Sequence, residues 1–503
     1  MVFEWKSEAH FHRVPKLVPG PPNVYFADVF STSSPEAPSP LTSSMFFLDY
    51  LERPDPAPKY EYDETGVVIK GELHIKDEKG NEAKLLPGDT FFIHRGSTIV
   101  FSTPRHALPS SISTLTLPTT ESFYMQHFLR NIARIALAID HDDNGYRSLL
   151  PMALTEPCVL NVALAVAASH HSRWQRIPDT MSRKYLRAAC KAVRDRFTDP
   201  RLIKSPATLA AMLLLVSYEV FSGSSRWKGH HTAIRAWIQG RRDCSDIDSF
   251  LKNWVCLIDT QNALNLGTST IPELEEWMGA ASSDRGYTVD ALFGCSARLP
   301  RLMAAASRLY VASKQAEISE DWVRSQAESL QTRIRSTRLQ DNSQIMIGLS
   351  CNDTPQEFSV TVGVDREELR RRAGATAEIF RHAAHIYVHR IAHAPMEALT
   401  PETQESLETA LQLLTQVPDA LGPGANLGWC LVVLGAELDI AEQREYINSR
   451  WDGLHLLGID NTRNGQKILD EVWNHRDLVR RGFATPERWQ DTMQRIGQSQ
   501  ILV

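Results

Sequence analysis

Ser205-Pro206-Ala207-Thr208-Leu209-Ala210-Ala211-Met212-Leu213-Leu214-Leu215-Val216 reads as the opening of a core helix. The serine hydroxyl can accept a backbone N–H left without a partner in the first turn, and proline already holds the backbone angle of the first helical position. Behind that start, Leu209, Met212, Leu213, Val216 and Val220 recur on one stripe at helical spacing, so the helix faces a core. The same period extends outward in both directions. Met125, Leu129, Ile132, Ala136 and Ile139 share a face, Cys158 to Ala168 form a second apolar cluster, and Thr400-Pro401-Glu402 repeats the start device. Gly-Pro-Gly at 422–424 breaks the chain before an apolar helix from Trp429 to Ile440. No strand alternation of comparable quality follows residue 125.

Before residue 107 the period is two. β-prone segments recur at Val24-Tyr25-Phe26, Met45 to Leu48, Val67-Val68-Ile69, Leu73-His74-Ile75, Thr90 to Ile93 and Thr98 to Phe101. Turn signals stand between them at Lys70-Gly71, Lys79-Gly80-Asn81 and Pro87-Gly88-Asp89, a spacing that suits a small antiparallel barrel, with Ser31 to Ser44 as a long loop within it. Thr103 to Thr120 has linker composition. The expected architecture is multidomain, α and β: a small antiparallel β-barrel over 1–107, a linker over 108–120, and a large all-α domain over 121–503.

Bulk properties narrow the function classes. The chain of 503 residues, 43% hydrophobic, can bury a large core and is too long for one ordinary domain. A formal charge of −6 gives no drive toward a polyanion, and the most basic short run, Arg370-Arg371-Arg372, follows Asp365, Glu367 and Glu368 as on a solvated helix face. The seven cysteines are scattered and form no CxxC pair, which excludes a zinc cluster built from neighbouring thiolates and argues against a disulfide scaffold. No secretory signal is visible at Met1-Val2-Phe3-Glu4-Trp5-Lys6, and the longest apolar runs are about half of what spans a bilayer. A soluble, intracellular protein is expected. His382, His385, His389 and His393 fall on one helix face. One face can bring at most two of them to an ion, so packing is the stronger reading. His170-His171 and His230-His231 read as helix-end or interhelical hydrogen-bonding residues, and Trp227, Trp237, Trp254, Trp429 and Trp473 as core anchors.

The helical part resembles a known family. Leu149 to Leu154, Val162 to His171, Ser205 to Leu209, Tyr218 to Phe221 and Trp227-Lys228-Gly229-His230-His231 look like the opening of the fungal-specific transcription factor domain. Ile386 to Arg390, Gly435-Ala436-Glu437 and Ile468 to Trp473 are similar to its closing helices. The resemblance implies an all-α regulatory domain, which in that family stands C-terminal to a binuclear Zn–Cys cluster. Here a different module occupies that place. Tyr60 to Glu64, Gly71-Glu72-Leu73 and Pro87-Gly88-Asp89 to Ser97 are similar to cupins of the ethanolamine-utilisation EutQ type. That resemblance implies a barrel whose metal ligands would be histidines and a glutamate. Glu64 keeps its place, but Pro58, Tyr60 and Ile99 hold the histidine positions, so no metal and no cofactor is expected.

Tyr60, Tyr62, Glu64 and His94 remain as ligand-binding candidates at the barrel mouth, and no residue is assigned a catalytic role. The alternative at this point is that the tyrosines pack in the barrel and Glu64 satisfies a buried polar group. Taken together, the resemblances imply a nuclear or nucleocytoplasmic regulator of transcription, acting on a fungal metabolic or secondary-metabolite pathway, with the cupin sensing a small molecule. The expected partner is a DNA-binding transcription factor or co-regulator, with a second copy of the chain as a further candidate. Direct DNA binding and membrane association are not expected. Two other readings stay open: a cupin-type enzyme or small-molecule-binding protein of a biosynthetic pathway, and a chain whose upstream exon encodes the Zn–Cys cluster.

Overall fold

A computed structural model describes residues 17, 23–31, 42–48, 59–68, 72–86, 88–103, 117–141, 144–241, 243–278, 288–339, 345–349, 366–417, 422–498 and 500. These divide into two compact units, one ending at Ser122 and one beginning at Phe123. Most of the Ser31 to Ser44 loop, the Lys70-Gly71 turn, Pro87, Cys351 and most of the expected linker lie outside the described residues.

The N-terminal unit is built of strands β1 (Val24–Ser31), β2 (Thr42–Leu48), β3 (Glu64–Val67), β4 (Leu73–Asp77), β5 (Glu82–Leu85), β6 (Thr90–Ile93) and β7 (Ile99–Ser102). All pairings among them are antiparallel: β1 with β2, β3 with β6, and β4 between β5 and β7. The described strands thus form separate two- and three-stranded sheets, and no closed barrel forms among them. An aromatic cluster connects the three sheets. Phe101 of β7 lies 5.4 Å from Phe46 of β2 and 6.3 Å from Phe91 of β6, ring centre to ring centre. Gly66 makes room for this core, because a Cβ there would stand 2.2 Å from Cζ of Phe91, the residue paired opposite it. Strand β5 went unread in the sequence. Glu82-Ala83-Lys84-Leu85 alternates polar and apolar over only four residues, too few to mark a strand, and forms as the return arm of a turn in which Asp77 accepts from the backbone N–H groups of Lys79 and Asn81.

The C-terminal unit is helical. The segment that opened the reading forms the helix Pro206–Phe221, with the Ser205 hydroxyl accepting from the Ala207 N–H at 3.2 Å. The expected stripe is too narrow: every residue from Ala207 to Phe221 is buried, so this helix runs through the middle of the core and packs on all sides. It contacts Pro157–Gln175 and Trp227–Gln239. The helix Arg366–Ala392 is the second central element, packed against Glu320–Arg335, Pro401–Leu414 and Gly428–Gly435. Trp227, Trp254 and Trp429 are almost fully buried in these layers, with Trp237 and Trp473 nearly so.

Some boundaries differ from expectation. The face through Met125, Leu129 and Ile132 runs along Thr119–His127 and then a wider π turn, Phe128–Ile132, and the helix ends near Ile135. Ile139 lies beyond it, where its N–H donates to the carbonyl of Ala291 in a buried loop. That loop carries β8 (Thr288–Asp290), which pairs in parallel with β9 (Met346–Gly348). Strands of three residues are too short to show a period. The helix expected from Trp429 to Ile440 stops at Gly435. Gly267 ends Ser249–Leu266 at φ +65°, where a Cβ would stand 2.4 Å from the Tyr310 ring, so glycine both allows the turn and seats Tyr310.

Candidate functional site

Strand pairing decides how the candidate residues of the N-terminal unit meet. In the β3–β6 ladder Glu64 stands opposite Ile93 and Thr65 opposite Phe92. Partners in an antiparallel pair point to the same face, and successive residues alternate. Glu64, Gly66, Phe91 and Ile93 therefore share the inner face, while Thr65, Val67, Thr90 and Phe92 face outward. Pairing continues past the strand, with the Tyr60 N–H donating to the Ser97 carbonyl at 2.9 Å and the Gly96 N–H to the Tyr60 carbonyl at 2.7 Å. The Asp63 carboxylate fixes the facing turn by accepting from the Arg95 N–H at 2.7 Å.

Three of the four candidates come together. The Tyr60 and Tyr62 rings meet edge to face at 5.6 Å, and the Tyr60 hydroxyl donates to the Glu64 carboxylate. Burial raises the Glu64 carboxyl above the ordinary range, with the Tyr60 hydrogen bond acting in the opposite direction. Burial and then the Glu64 charge push the Tyr60 phenol up, so it remains a neutral donor at physiological pH. Tyr62 is 56% exposed and marks the solvent edge of the cluster. His94 is not part of it. It lies on the outer side with Phe92, ring centres 5.0 Å apart, and is exposed. A half-buried donor and acceptor side by side can hold a small polar molecule by hydrogen bonds. They do not pair a nucleophile with a base.

The histidine face of Arg366–Ala392 is packing. His382 Nε2 meets Arg381 Nη2 at 2.8 Å, His385 meets Ser406 Oγ at 3.3 Å, and His389 stacks on His393 at 4.1 Å. Burial lowers His382 and His389 to about 3 and His385 to about 4, so all three are neutral. Among the described residues no group of three or more His, Cys, Asp or Glu side chains is placed to hold a metal ion. The basic run pairs with carboxylates of its own helix. Glu368 takes hydrogen bonds from Arg371 at 2.7 and 2.8 Å and from Arg372 at 2.6 Å, which hold its carboxyl down at about 2. His170 donates from Nε2 to the Leu457 carbonyl at 2.8 Å and, as a neutral ring, accepts at Nδ1 from His127 Nε2 at 2.9 Å, and His231 meets Asp259 at 2.9 Å. The helical unit also holds a cavity with walls from Tyr310, Arg390, Glu437, Arg488 and their neighbours. Its residues come from five separate helical segments, and no linear spacing signals it.

No described helix is long and apolar enough to cross a membrane. No curated protein and no solved structure matches the chain. The family comparison finds the fungal specific transcription factor domain over residues 123–503, most of the chain and the full span of the helical unit. By that match, the chain belongs to the family of the fungal specific transcription factor domain.

Proposed function

We propose that this protein is a nuclear regulator of transcription whose helical unit supplies the regulatory surface, whose N-terminal unit is a cupin-like small-molecule sensor, and whose DNA targeting comes from a partner protein. The family match over 123–503 carries the regulatory part of this reading. The sensor part rests on the Tyr60–Tyr62–Glu64 cluster, a neutral donor beside a half-buried carboxylate, and on the cupin-like spacing of its motifs. Reliance on a partner rests on the net charge of −6 and on the internal pairing of Arg370, Arg371 and Arg372 with Glu367 and Glu368. A metabolic or secondary-metabolite pathway is the proposed target.

A ligand shifts such a regulator only by binding one conformation better than another, and a tenfold preference corresponds to about 1.4 kcal/mol. The test compares messenger profiles of cells carrying the native gene, a disrupted gene, and the double substitution Glu64→Gln with Tyr62→Phe. Disruption should change the messengers of a defined gene set. The double variant should reproduce that change at unaltered protein level. If a single metabolite step is lost while all messengers stay constant, the protein is an enzyme and this reading fails.

A further inference from the structure

The helical unit holds a cavity of about 40 Å³. That is room for roughly three waters, or for a molecule of few non-hydrogen atoms. Its walls come from Leu299–Ala312, Arg366–Ala392, Gly428–Gly435, Asn461–Arg480 and Trp489–Arg495, with Ile386, Val433 and Val472 giving an apolar side. Most charges at its rim already have partners. Arg390 forms a two-pronged ion pair with Glu437 at 2.6 and 2.9 Å, and Arg476 bonds Asp439 at 2.8 Å. Glu487 accepts from the Thr492 hydroxyl at 2.6 Å and from Arg495 at 2.9 Å.

Two groups break this pattern. The Arg488 guanidinium touches the carbonyls of Arg390 and Ile391 and lies over the Tyr310 ring, 5.5 Å from its centre, yet among the described residues no carboxylate pairs with it. Two carbonyls leave other N–H groups of its fork uncommitted. Beside it, Tyr310 is 1% exposed, and among the described residues its buried hydroxyl has no hydrogen-bond partner. A buried hydroxyl without a partner is costly, and native structures rarely keep one without a use.

We propose that this cavity is a binding site for a short-chain monocarboxylate, with the carboxylate held by Arg488 and the Tyr310 hydroxyl and the alkyl part against Ile386, Val433 and Val472. The planar carboxylate matches the guanidinium fork. The cavity volume limits the body to a few carbons, and the site is separate from the Tyr60–Tyr62–Glu64 cluster. The competing assignment is that Arg488 only caps the carbonyl end of Arg366–Ala392.

Calorimetric titration of the full chain with acetate, propionate and butyrate, each against its primary amide, separates the two. At least one acid should bind saturably, and its amide at least about tenfold more weakly. Arg488→Gln and Tyr310→Phe should each weaken the acid by about tenfold or more. Tyr310→Phe removes no contact within the protein, so it decides the matter even if Arg488→Gln fails to fold. Absence of saturable binding by all three acids, or unchanged affinity in Tyr310→Phe, overturns the proposal and leaves Arg488 as a cap.

Discussion

Tyr310 and Leu213 are both buried almost completely, yet trimming them should differ sharply in cost. Leu213 sits in a helix packed on all sides, so Leu213→Ala leaves a cavity and should cost about 2–5 kcal/mol. Tyr310→Phe deletes only a hydroxyl without a partner, and the unliganded protein should lose no stability. Thermal melts of the full chain read both. The buried histidines set a pH dependence. His170, His382 and His389 titrate in the folded protein at about 3, well below the 6.5 of an unburied imidazole, because burial disfavours the charged ring. Between those values the unfolded chain binds more protons than the folded one, so stability is full above about 6.5 and falls as the pH drops. His389→Leu should flatten the slope between about pH 6.5 and 5 by up to roughly 1.4 kcal/mol per pH unit. A slope unchanged from the native protein would mean that His389 is not held neutral by the fold.

At the scale of elements, the structure depends on joints that sequence spacing does not show. Arg390, in the last turn of Arg366–Ala392, pairs with Glu437 just past Gly428–Gly435, and their side chains are only 13% and 8% exposed. Glu437→Gln leaves a buried guanidinium without its counter-charge and should cost about 3–5 kcal/mol, read as a lowered denaturation midpoint. The element types themselves were largely legible. Ser205-Pro206 and Thr400-Pro401 mark true helix starts because their effect is local to one turn. β5 was not legible, because the alternation of Ala83 and Leu85 spans only four residues, which are held by pairing to β4 and by the Asp77 turn. The candidate cluster was legible in part. Tyr60 and Tyr62 lead directly into β3 at Glu64, so closeness in sequence brings these three together, whereas the register of β6 with β3 puts His94, one residue past Ile93, on the other face. The cavity could not be read at all, since Tyr310 and Arg488 meet only through the packing of distant helices.

At the scale of the whole molecule, two units with separate cores predict separable folding. A chain shortened to begin at Leu115 should remain soluble and strongly helical by circular dichroism and resist limited proteolysis. An insoluble product would mean that the N-terminal strands complete the helical core. The expected barrel is replaced, among the described residues, by separate small sheets, because the period of two states only that strands have an inner face, not which strands meet. The regulatory role can be tested without knowing ligand, partner or target gene. The full chain is fused to an unrelated sequence-specific DNA reader and placed upstream of a reporter gene in a fungal cell. Reporter messenger should change severalfold relative to the reader alone, and residues 123–503 by themselves should retain an effect. Reporter messenger identical to that of the reader alone, with the fusion present in the nucleus at normal level, would contradict the regulatory role.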